Sequence, residues 1–125
     1  MVSTNRRIRE ALTRNGLVLR HLGGDGLPGA EGAFALCTLR LAESLAGQGN
    51  IQEAGDVMET VLRPAGPLGL LSEEIEPGTG ESLGNYPQGF THLGVISAAA
   101  AIAHAGDAAR GRSAGHRSAA GRARG

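Results

Sequence analysis

Between residues 31 and 64 the apolar residues fall at spacings of three and four. Phe34, Cys37, Leu41 and Leu45 are followed, after the break GQGN, by Ile51, Ala54, Met58 and Val61. This period matches one face of an α-helix and excludes strands that alternate between core and solvent. The region therefore reads as two helices joined by a short turn, the first running from 31 to about 46. Asn50 stands where the second needs a cap, with Glu53 three residues on as in a capping box, and Pro64 closes it.

The rest of the chain offers further helices and no convincing strand. In STNRRIREALTRNG, Ile8, Ala11 and Leu12 form a modest apolar face, and Gly16 is placed to end that helix in a left-handed turn. HLGGDGLPGAEG is a loop. Residues 64 to about 86 hold no periodic segment, and loops of that length inside compact domains tend to be functional or disordered. Asn85 and Pro87 sit in cap and first-turn positions for a last helix whose stripe is Phe90, Leu93, Ile96 and Ala100. The expectation is an all-α chain of three or four helices, with one long, acidic, glycine-rich loop before the last.

Charge divides the chain in two. The last twenty residues carry Arg110, Arg112, Arg117, Arg122 and Arg124 against Asp107, a balance of +4, so residues 1–105 carry −4 in a chain of zero net charge. Residues 106–125 contain almost no large apolar side chain to offset the entropy of ordering, and we expect a disordered basic tail behind one folded unit, 1–105. No aromatic residue is interleaved with these arginines to stack on bases, so a nucleic-acid partner is not expected. No apolar run is long enough to span a bilayer, and MVSTNRRIRE has no secretory apolar core, so a cytoplasmic chain with no membrane partner is expected.

Cys37, the single cysteine, excludes an internal disulfide and reads as a small buried apolar residue. GTGESLG lacks the spacing and the preceding strand of a dinucleotide fingerprint. The regularly spaced oxygen ligands of an EF-hand are missing. His21, His92, His104 and His116 form no pair four apart around a glutamate. By spacing alone, Glu73 and Glu74 are a pair of solvated loop acids, and no metal or cofactor is expected.

The residues themselves carry more than their spacing. LLSEEIEPGTGESLGNYPQGFTHLGVISAA resembles the closing active-site segment of glycoside hydrolase family 15, the glucoamylases and their bacterial trehalase-like relatives. That family shows a Ser-Glu-Glu or Ser-Glu-Gln turn, a Thr-Gly-Glu, a Gly-Asn-Phe-Pro-Gln and a Ser-His. The likeness continues upstream in Glu-Gly-x-Phe, Cys-Thr and a Gly-(x)-Glu-Ala helix, here GNIQEA, and covers about residues 1–104.

The resemblance implies part of an (α/α)6 barrel of six helix pairs around a sugar pocket, and hydrolysis of an α-glucosidic bond with inversion. One carboxylic acid protonates the leaving oxygen, and a carboxylate across the sugar activates water. The glutamate after the serine is the general base, which is Glu73 here; Glu74 is its neighbour. The family's general acid lies in a Trp-Glu region that this sequence, with no tryptophan, does not contain. As substrate-binding residues the resemblance suggests Glu31, Asn85, Tyr86, Gln88 and His92. Each also has a plainer reading: Glu31 as an acid in a helix's first turn, Asn85 as a cap, His92 as a structural histidine. Glu81 reads as a surface charge.

Only Phe34, Tyr86 and Phe90 are aromatic, so this chain supplies a fragment of a sugar pocket. Many relatives have an aromatic pair where Leu39 and Arg40 stand, so either Arg40 faces solvent or the segment has diverged. Four helices are about a third of such a barrel. The expected chain is the C-terminal part of a glycosidase from a truncated or split gene or a misplaced start, inactive alone, with an α-glucoside as substrate once a complementing polypeptide completes it. A different class stays open: LAESLAGQGNIQEAGDVMETVL also suits a tetratricopeptide-like protein-binding module, although no second copy occurs at a fixed period.

Overall fold

A computed structural model describes residues 2–19 and 32–122. Helix α1 (Val2–Leu12) leads into a two-stranded ribbon, β1 (Thr13–Arg14) and β2 (Leu17–Val18). Then come β3 (Ala33–Phe34), α2 (Ala35–Gly47), α3 (Ile51–Leu62) and a 3-10 turn, Arg63–Ala65. Strands β4 (Glu74–Ile75) and β5 (Ser82–Leu83) precede the long α4 (Gly89–Arg122). The chain is mostly helical, as expected of a piece of a helical barrel. Its two-residue strands, which periodicity is too short to reveal, act as clasps.

Helix α2 is central, packed between α3 and α4. It buries Ala35, Thr38, Leu39, Leu41, Ala42, Leu45 and Ala46, a broader face than one stripe because it has neighbours on two sides. Phe34 and Cys37 are only half-buried; Cys37 rests against the core and forms no disulfide. Leu39 is fully buried, whereas Arg40 points to solvent and reaches Glu43 at 2.8 Å, so the dipeptide keeps its charge outside the core. Buried Thr38 ties the ribbon to α2: its hydroxyl accepts from Val18 N–H at 2.9 Å and donates to Phe34 C=O at 3.1 Å.

Four local expectations need correction. Gly16 does not end α1; with Asn15 it forms the turn of the β1–β2 ribbon, both at positive φ (49° and 79°), as Asn-Gly favours in two-residue hairpins. Asn50 occupies the cap position of α3 without a side-chain cap bond. The capping box fails because the Asn50 N–H already donates to Leu45 C=O at 2.9 Å, while Glu53 pairs with Arg9 on α1. The helix expected from residue 31 begins at Ala35, and Glu31 lies outside the described residues. Asn85 does not cap α4, since its side chain is engaged elsewhere; the helix starts at Gly89, with His92 N–H donating to Gln88 C=O.

Helix α4 departs further from its expected orientation. Thr91, Gly94 and Ala98 are buried against α2, while Phe90, Leu93, Ile96 and Ala100, the expected core stripe, are exposed. Gly94 explains the choice of face: a Cβ there would fall 2.9 Å from Leu36 Cδ1 and 3.1 Å from Leu39 Cδ1, so this close approach requires glycine. Beyond residue 105, where disorder is expected, α4 runs on as helix to Arg122. The described side chains from residue 111 are all exposed, so no core holds this segment. Alanine and arginine are strong helix formers, and an already nucleated helix extends through them without tertiary support. Among the described residues no helix is long and apolar enough to cross a membrane, and no group of three or more His, Cys, Asp or Glu is placed to hold a metal.

Candidate active site

The loop that periodicity leaves blank is closely fastened where Glu73 stands. Residues 71–73 run beside residues 85–92, and their backbone groups are taken in turn. Leu71 N–H donates to His92 Nε2 at 3.1 Å, and Leu71 C=O accepts from Gln88 N–H at 2.8 Å. Ser72 C=O accepts from the hydroxyl of buried Thr91 at 3.0 Å. Glu73 N–H donates to Asn85 C=O at 2.9 Å, and Glu73 C=O accepts from Ala35 N–H, at the start of α2, at 3.1 Å. Buried Ser72 turns its hydroxyl to Glu74 C=O at 2.7 Å. Three elements of the fold thus hold one tripeptide.

The half-buried Glu73 carboxylate is gripped as well. Its Oε2 accepts from Asn85 Nδ2 at 3.0 Å and from Asn85 N–H at 3.2 Å. Neutral donors on one oxygen fix the carboxylate's orientation and leave the other oxygen's lone pairs available for a water. Gly84 makes this possible. Its φ is +71°, and a Cβ there would fall 2.9 Å from Glu73 Oε2. Glu74 belongs to the three-stranded sheet β3–β4–β5, opposite Phe34 and Leu83, and packs over Gly32. The adjacent glutamates therefore have different surroundings, one held by amide donors, the other by the sheet.

Of the residues singled out in the sequence, Glu73, Asn85, Gln88 and His92 come together. Asn85 orients the carboxylate, Gln88 lends its backbone, and the His92 ring accepts the Leu71 N–H, so Nε2 is occupied in a structural bond. Tyr86 follows directly and is exposed; Glu81 is exposed, as expected of a surface charge. Ser72, Gly84 and Thr91 escaped the sequence reading, because a hydroxyl or glycine serving a backbone contact leaves no spacing signal. A separate hollow of about 330 Å³, lined by Asn15, Thr60, Arg63 and Pro77 among others, contains none of the candidate residues.

The sequence is similar to proteins of known family. Residues 46–100 match the family model described as glycosyl hydrolases family 15. Over 94 residues, 73% of this chain, the sequence is 48% identical to a trehalase of Mycolicibacterium smegmatis and 47% identical to one of Mycobacterium tuberculosis. A trehalase of Thermoplasma volcanium is 42% identical over 78% of the chain. The chain spans only about 14% of the length of the two mycobacterial relatives and 16% of the third. No solved structure matches it. The tetratricopeptide-like alternative is not favoured, since the helical pair it rests on runs into the family match. The chain belongs to glycosyl hydrolase family 15, as a trehalase- or glucoamylase-like segment of that family's sequence.

Proposed function

We propose that this chain contributes the general base, Glu73, to an inverting, exo-acting α-glucosidase of trehalase or glucoamylase type, and that a region of the catalytic domain outside these 125 residues contributes the acid. The observation that carries the reading is the hold on Glu73: a tripeptide anchored at both backbone faces, and a carboxylate whose Oε2 takes two donors from Asn85. A base that must deprotonate water on one face of a sugar needs such fixed orientation.

The reaction needs a second carboxyl group about 6.5–9.5 Å from the first, with room for the water between them. The acid protonates the glycosidic oxygen as the bond to the anomeric carbon breaks. Glu73 takes a proton from the water that attacks that carbon from the opposite face. Tyr86 and Gln88 border the Glu73 site and supply a ring face and an amide to the sugar. Alone, the chain lacks the acid and does not turn over.

The test uses a chimera in which this chain replaces the matching segment of the Mycolicibacterium smegmatis trehalase. Glucose release is followed with trehalose, maltose and maltooligosaccharides, and the anomer first formed is read by NMR. The reading expects activity from the chimera, inverted product and silence from the isolated chain. Product of retained configuration, or turnover by the isolated chain, would sink it.

A further inference from the structure

Leu71 stands two residues before Glu73, and both of its backbone groups are taken by residues at the start of α4. Its N–H donates to the His92 ring at 3.1 Å and its C=O accepts from Gln88 N–H at 2.8 Å, while the Thr91 hydroxyl donates to Ser72 C=O at 3.0 Å. The other bonds that fasten residues 71–73 join amides, carbonyls and hydroxyls, none of which titrates. The bond to His92 is different. An imidazole nitrogen accepts only while it carries no proton, so with Nε2 taken by Leu71 N–H the neutral ring holds its proton on Nδ1. A second proton has only Nε2 to go to. There it turns the acceptor into a donor that faces the donor of buried Leu71 and leaves it unpaired.

We propose that His92 is a positioning residue for the reaction, that it holds the Glu73 tripeptide only as the neutral ring protonated at Nδ1, and that protonation of Nε2 releases the tripeptide from α4. This rests on the functional reading above, in which Glu73 is the base. It gives His92 a different part from the sugar contact that the resemblance suggests, since Nε2 faces the protein backbone. Few charges surround the ring. Helix α4 carries no Asp, Glu, Lys or Arg before Asp107. On α2, Arg40 and Glu43 pair with each other, and on the loop the Glu73 carboxylate is held by Asn85 while Glu74 lies in the sheet. Among the described residues no carboxylate pairs with the ring.

The first arm of the experiment uses the full chain. Nitrogen NMR reads which ring nitrogen of His92 carries the proton, and hydrogen exchange follows the Leu71 amide as pH is lowered, with the amide of buried Val57 in α3 as reference. The proton is expected on Nδ1, and protection of Leu71 relative to Val57 should fall about tenfold as the ring takes its second proton. In His92→Gln, whose side-chain oxygen accepts the same bond and does not titrate, that fall should vanish. The second arm uses the trehalase chimera. His92→Leu should lower kcat about ten- to a hundredfold with KM little changed, and His92→Gln should recover most of that loss while extending the kcat profile to lower pH. Unchanged circular dichroism separates lost positioning from lost fold. A neutral ring protonated at Nε2, or a Leu71 amide indifferent to the charge on the ring, overturns the proposal. So does a loss confined to KM, which would make His92 a sugar ligand. Glu73→Gln keeps the two readings apart: it should leave Leu71 exchange as in the parent and suppress glucose release, and a chimera still active with Glu73→Gln refutes the base while the coupling of Leu71 to His92 stands.

Discussion

The same substitution should have opposite signs at two helical glycines. In α3, Gly55 has nothing within 4 Å of where a Cβ would sit, so Gly55→Ala gains only helix propensity, about 1 kcal/mol. In α4, Gly94→Ala gains the same but drives a Cβ to 2.9 Å from Leu36 Cδ1 and 3.1 Å from Leu39 Cδ1. Half-buried Leu36 can swing away, whereas Leu39 is fully buried and cannot. Overpacking of this kind costs about 1–3 kcal/mol, which leaves a net loss of about 1 kcal/mol and a gap between the variants of roughly 2 kcal/mol. With a urea m-value near 2 kcal/mol/M the unfolding midpoints should separate by about 1 M. Equal stabilisation of both variants would refute the close packing of α4 on α2, and with it the seat of Thr91 and His92 beneath the Glu73 tripeptide.

Thr38→Val should cost about 1–3 kcal/mol in a denaturant titration, because the buried Val18 N–H loses its acceptor while side-chain volume barely changes. The Ser97 hydroxyl, and secondarily Arg40, hold the Glu43 carboxyl below its ordinary range. A folded-state value depressed in this way contributes stability above the unfolded value and loses it as pH falls through the folded one. Thermal unfolding across that acid window should therefore show the advantage of the wild-type chain over Glu43→Gln shrinking as pH falls, and a constant difference would contradict the assignment. In the chimera, Asn85→Ala should lower kcat roughly ten- to a hundredfold with KM little changed, since it frees the base without removing a substrate contact; a change in KM alone would make Asn85 a sugar ligand instead.

The α2–α3 pair was legible because each helix joins a polar face to an apolar one and GQGN separates them. Helix α4 was legible as a helix and misread in orientation, because periodicity cannot tell which side faces inward when both are apolar. The buried side uses Gly94 and Ala98, valued for closeness of approach, and the larger Phe90, Leu93 and Ile96 draw the eye outward. Capping logic failed at Asn85 because Glu73 holds its side chain, and the box at Asn50 failed because its N–H goes to Leu45 C=O in the preceding turn while Glu53 pairs with Arg9. Glu73 is singled out by resemblance alone, since spacing treats it and Glu74 alike. What separates them, Asn85 on one and Gly32 beside the other, is made by pairings across the loop that no local pattern encodes.

That separation gives the most direct test of the account. In the trehalase chimera, Glu73→Gln and Glu74→Gln each remove one charge from adjacent positions at nearly constant volume. If Glu73 is the base, its substitution should reduce kcat for glucose release by about 10²–10⁴-fold, while Glu74→Gln should stay within a few fold of the parent. Equal losses, or the larger loss at Glu74, would contradict the assignment and move the chemistry to the other side of the strand.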